Sequence, residues 1–195
     1  MAAVSLKTTT TLMEVAQLHQ GIQLIVRGAE QITVEALNAM LKAKRVGEHA
    51  LGFGASTAEL RRFSARLSLL MGELSSAIGK QVTRVATLNR SNRTFHLQQK
   101  AFSHSQRSRE GLRQLVAKKE LQLAQITAQV AGGERELRQR LRQAEKLCQI
   151  GLANARAAKI EAVYGGDMAA ELKHVSNTIE TKIEELLQVV KSLCR

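Results

Sequence analysis

Not one proline interrupts the 195 residues of this chain. Proline locks φ, lacks a backbone N–H and stops helices, so nothing of that kind limits how far a helix can run here. The commonest side chains are those that surrender little rotamer freedom on entering a helix, Ala, Leu, Gln, Glu, Arg and Lys among them. Trp is absent and aromatics make up 3% of the chain. A core must therefore be filled by Leu, Ile, Val, Met and Ala at helix–helix seams. These features predict an all-α protein of long antiparallel coiled-coil hairpins. They exclude the strand-rich and α/β classes, which use turn prolines and bulky core rings.

The spacing of apolar residues sets out the helices. Residues 1–11 end in Thr8 to Thr11 and read as a flexible N-terminus with a capping hydroxyl. Leu12, Val15, Leu18, Ile22, Ile25, Ile32 and Leu37 recur at helical spacing and predict an amphipathic helix over 12–46. Gly47, Gly52 and Gly54 then crowd together and predict a hairpin tip at 47–54. Beyond it Leu60, Leu67, Leu74, Gln81, Leu88, Phe95 and Phe102 stand one heptad apart, and Ser64, Met71, Ile78, Val85, Asn92 and Gln99 form the companion row. Residues 103–108 interrupt the rows, which resume out of phase at Leu112.

Gly132-Gly133 predicts a second turn. After it a helix over 134–195 is expected to pack back along the second helix, with Leu137, Leu141, Ala144, Cys148 and Ala155 at its seam and a further break at 165–167. The predicted organisation is thus a flexible 1–11, a hairpin over 12–131 and a C-terminal helix over 134–195. Two helices packed alone leave apolar surface wet, so a homodimer is expected to complete a four-helix bundle.

Chemistry is sparse. Cys148 and Cys194 are the only cysteines, without a C-x-x-C or a histidine at ligand spacing, which predicts reduced thiols and a cytoplasmic protein. No apolar run approaches the ~18 residues that span a bilayer, and Met1 to Thr11 has no apolar core of a secretory signal. His19, His49, His96, His104 and His174 are scattered, and no nucleophile elbow or phosphate-binding loop is present. No catalytic residue, metal site or cofactor is expected. The net charge of +12 is concentrated, since Arg90 to Arg142 holds 12 Lys or Arg against 4 Glu. A solvated arginine-rich helix face is the plainer account of that stretch. The alternative is a phosphate-binding surface for nucleic acid or an anionic layer, built on Arg107, Arg109, Arg113, Lys118 and Lys119. Such binding would lack sequence preference, because Phe95 and Phe102 fall in the seam.

The predicted tip carries one specific motif. Leu37-Asn38-Ala39-Met40-Leu41-Lys42-Ala43-Lys44-Arg45-Val46-Gly47-Glu48-His49-Ala50-Leu51-Gly52-Phe53, continuing to Glu59-Leu60-Arg61, resembles without a gap the signalling hairpin of methyl-accepting chemotaxis receptors. Leu37, Asn38, Ala39, Ala43, Arg45, Gly47, Glu48, Gly52, Phe53, Glu59 and Arg61 keep the family residue. The family's glutamate is Lys42 here, its turn arginine is Leu51, and its paired valines are Ala55 and Ser56. The resemblance implies a signalling or scaffold protein that binds receptors, a histidine kinase, its coupling adaptor or its own copies. Asn38 and Arg45 would make receptor–receptor contacts, Glu48 would sit at the turn, and Phe53 and Glu59 would lie near the kinase and adaptor surface. Asn154-Ala155, Ile160-Glu161-Ala162 and Gly165 echo the tip more weakly, and alanine-rich helix composition accounts for that echo better than a repeat does.

Overall fold

The computed structural model describes residues 12–104 and 109–194. Its element order is α1 (Leu12–Val46), a 3₁₀ turn (Gly47–Ala50), α2 (Leu51–His104), α3 (Arg109–Glu161), two 3₁₀ turns (Ala162–Tyr164 and Gly166–Met168) and α4 (Ala169–Leu193). The fold is all-α, with no strand among the described residues. The first tip falls where the glycines place it, and the break at 165–167 separates α3 from α4. The expected interruption at 103–108 lies mostly on 105–108, outside the described residues.

One boundary differs. Gly132 and Gly133 lie inside α3, and no turn separates 12–131 from 134–195. Gly133 is buried, and a Cβ on it would collide with Oε1 of Gln81. The Gln81 Nε2 meanwhile donates to the Val130 carbonyl at 2.8 Å. The glycine is there for close approach, and the helix bends around no corner at that point.

The chain divides into two compact units, one comprising Leu12–Ser75 and Arg138–Arg195, the other containing Ser76–Leu137. The first unit is a four-helix bundle made by a single chain. Ser64 Oγ of α2 donates to the Ala29 carbonyl of α1 at 2.6 Å. Gly151 of α3 lets the Phe63 ring of α2 approach so closely that a Cβ would stand 2.7 Å from it. Arg156 Nε of α3 donates to Glu180 of α4 at 2.9 Å, and α4 packs along α1. Each helix therefore has two neighbours, and successive helices run up and down. The second hairpin that completes this bundle comes from the same backbone.

The two hairpins repeat one pattern. Gly47 and Gly166 both have positive φ, +79° and +55°, and stand 119 positions apart (166 minus 47). The same offset maps Ile22, Ile25, Ala29, Ile32, Ala36, Ala39 and Ala43 of α1 onto Leu141, Ala144, Cys148, Gly151, Ala155, Ala158 and Ala162, every one buried. It also maps Phe53, Thr57, Leu60, Ser64, Leu67 and Met71 onto Leu172, Ser176, Ile179, Ile183, Leu186 and Val190, again all buried. The steps alternate 3 and 4 residues, the spacing that keeps one stripe facing a bundle axis. Few of the paired residues are identical, so the repeat lives in burial and backbone.

Among the described residues of the second unit, two helical segments pack together. Ile78, Gln81, Leu88, Val130 and Gly133 are buried, while Val85, Phe95, Val116, Leu123 and Ile126 remain half-buried. Two helices cannot surround a seam as four can. Among the described residues no helix is long and apolar enough to cross a membrane.

Candidate functional site

The turn end of the four-helix unit gathers what the chain offers for recognition. Gly47 and Gly166 allow the left-handed backbone that each tight reversal needs. The turns at Gly47–Ala50 and Ala162–Tyr164 then pack beside each other. Ala43, Ala50 and Ala162 are buried beneath them with Phe53. Small residues bring the helices close, and one ring fills the space that remains.

Around this closed core several large apolar side chains are exposed. Leu51 (71% exposed), Val163 (67%), Tyr164 (66%), Ile160 (65%) and Leu41 (61%) all stand at this end. A cluster of large apolar side chains held out by rigid helices is the usual mark of a contact surface. Sequence reasoning treated Leu51 only as a departure from a motif arginine and Ile160 only as part of a weak echo, and passed over Val163 and Tyr164. The available signal was the chain's single tyrosine next to a glycine pair.

An ion pair ties the two hairpins together here, and others brace the second hairpin. Lys42 Nζ lies 2.9 Å from Glu171 Oε2. The hydrogen bond from this ammonium, with its charge, holds the Glu171 carboxyl below the ordinary carboxylate value. The charge reversal at Lys42 thus has its compensating carboxylate on α4. Further along, Glu180 receives Arg156 and Lys159, at 2.9 and 3.2 Å. These cations, Arg156 foremost, keep its carboxyl low against the opposing effect of burial. Pairs with at least one partner in solvent, like these, contribute little stability each, and their value is in fixing which helix neighbours which.

The expected site residues separate. Asn38 and Arg45 are exposed on α1, Arg45 in its last turn, and Glu48 belongs to the 3₁₀ turn. Glu59 is exposed on α2 and pairs with Arg62 one turn on. Phe53 is corrected. Its side chain is completely buried, so it supports the surface from beneath and touches no partner while the bundle is closed. The basic set belongs to the other unit. There Lys118 is exposed and Lys119 half-buried in the row of Val116 and Leu123, Arg109 and Arg113 occupy the start of α3, and Arg107 lies outside the described residues. Among the described residues no three His, Cys, Asp or Glu side chains gather as a metal would require. Comparison with protein-family models and with curated proteins finds no match to this chain.

Proposed function

We propose that this chain is a helical signalling scaffold of the chemotaxis-receptor kind, which holds array partners or further copies of itself at the turn end of its four-helix unit. The observation that carries the reading is the exposed set Leu41, Leu51, Ile160, Val163 and Tyr164, grouped at the end where the receptor-like motif lies. Asn38 and Arg45, both exposed, supply polar contacts at its rim. The work is done by packing, with a signal passed as a change in the stability of closely packed helices. The reading includes a cytoplasmic homodimer joined through 76–137, where a second copy would cover the half-buried seam.

The test is capture from native cell extract by the wild-type chain and by a Leu51→Glu/Arg45→Glu variant. Both positions are exposed, so the helices should survive and circular dichroism should be unchanged. Recovery of a chemotaxis kinase, its adaptor or receptors by wild type alone is the expected result. Equal recovery by both, or recovery of none, overturns it. Recovery of nucleic acid by both, released by added salt, favours the phosphate-binding reading instead. One observation speaks for that second reading: Lys80, Arg90, Arg93 and Lys118 are exposed and have no carboxylate partner among the described residues.

A further inference from the structure

Helix α3 and the 3₁₀ turn that follows it carry two seams. The inner row, Leu141, Ala144, Cys148, Gly151, Ala155, Ala158 and Ala162, is buried in the bundle. On the opposite face Lys146, Ile150, Ala153, Ala157, Ile160 and Tyr164 follow the same alternation of 3- and 4-residue steps, and all are exposed, Ile150 by 57% and Ile160 by 65%. A mostly apolar open groove runs along this face, lined by Gln149, Leu152, Ala153, Arg156, Ala157 and Ile160. Isolated exposed apolar residues are ordinary. A continuous heptad row with two alanines at its centre is different, because those alanines admit the backbone of another helix at close range.

The bundle itself does not require this row. The 119-residue offset maps it onto Arg27, Gln31, Val34, Asn38, Leu41 and Arg45 of α1, which is polar at most positions. Charge selects the occupant. From residue 138 to 160 the exposed charged side chains of α3 are Arg138, Arg142, Lys146 and Arg156, with no exposed carboxylate among them. Arg156 is already held by Glu180 and Glu184 of α4, so Arg138, Arg142 and Lys146 carry the unspent charge. A second copy of a chain with net charge +12 is a poor match for such a face.

We infer that the outer face of α3 and of the turn after it, between Lys146 and Tyr164, is the docking site of an acidic amphipathic helix from another protein. Apolar residues of that helix at 3–4 spacing seat against Ile150, Ala153, Ala157 and Ile160, and its flanking carboxylates meet Lys146 and Arg142. The site shares Ile160 and Tyr164 with the turn-end surface but is tested at Ala153 and Ala157, which lie outside that surface. The turn-end reading is tested at Leu51 and Arg45, so either can fail without the other.

The test uses two synthetic helical peptides of about three heptads, identical in their leucine row and differing only in Glu or Lys at the flanking positions. Each is titrated against the full chain and against an Ala153→Glu/Ala157→Glu variant by fluorescence anisotropy. Both alanines are exposed, so the variant should fold, and circular dichroism checks this. The Glu peptide should bind saturably one to one, weaken with salt, and lose roughly a hundredfold in affinity against the variant. Absence of binding, equal binding of the Lys peptide, or unchanged binding to the variant overturns the inference. So does a wild-type homodimer in sedimentation that the variant abolishes, since the stripe then belongs to a second copy.

Discussion

Phe53 sits where the core of the bundle is richest in alanine. Ala36, Ala39, Ala43, Ala50, Ala155, Ala158 and Ala162 are buried at that end and cannot fill space between them. The ring has no exposed surface and takes up what they leave. Phe53→Ala should therefore open a cavity under the turns and cost about 3–5 kcal/mol, read as a lower urea midpoint at unchanged slope. Leu51→Ala, two residues away but exposed, should stay within about 0.5 kcal/mol of wild type. Comparable losses at both positions would mean the turn end is not packed as described. This role was legible in the chain, since Phe53 stands one heptad before Leu60, Leu67 and Leu74 and so extends their buried row. The motif resemblance drew attention to its surface meaning instead. Leu51, Val163 and Tyr164 were less legible, because a lone apolar residue near a glycine reads equally well as core.

The elements followed the periodicity wherever a heptad row was unbroken. Leu60, Leu67, Leu74, Gln81 and Leu88 are all buried on α2, and the rows at 141–155 and 172–186 hold likewise on α3 and α4. Glycine misled, because the same residue marks a reversal and a close approach. Gly47 reverses the chain, whereas Gly133 makes room for Gln81. The polar seam position at Gln81 was the clue that something across the interface had to accommodate it. Two neighbouring substitutions separate these roles. Gly133→Ala should cost about 1–3 kcal/mol as the new methyl displaces the Gln81 amide and its hydrogen bond to Val130. Gly132→Ala meets open space inside a helix and should stabilise by about 0.5–1 kcal/mol. Thermal denaturation of the pair checks this, and a turn at 132–133 would make both changes unfavourable.

At the scale of the molecule, the internal repeat was hidden because a seam constrains which positions are buried and not which residues fill them. Ser64 matches Ile183 and Ile32 matches Gly151 in position alone. Only once burial is known does the offset emerge, and it places Asn154 on Glu35 and not on Asn38, so the weak echo there is not this repeat. Linkage also belongs at this scale. Glu171 and Glu180 have folded pKa values lowered by their cations. Their contribution is thus present above the ordinary carboxylate value and lost as pH falls through the folded values. Cys148 acts at the other end: burial foremost, then Glu145, pushes its thiol from 9.0 up to about 12. The unfolded chain releases that proton first, so stability declines as pH rises from about 9 towards 12. Melting temperature plotted against pH should fall on both sides. Glu180→Gln should flatten the acid limb and leave the alkaline limb in place. An unchanged acid limb would show that the Arg156 and Lys159 pairs are not formed in solution.

The repeat on one backbone has a consequence for stoichiometry. A bundle assembled from separate copies dissolves on dilution and obliges both halves to evolve together. Here the partner hairpin is always present at a fixed ratio, however few molecules a cell holds. The halves are also free to differ, and they do: Lys42 corresponds to Glu161, and Arg45 to Tyr164. One folded chain therefore offers two unlike faces at the same end, as a heterodimer would, without needing to find its other half.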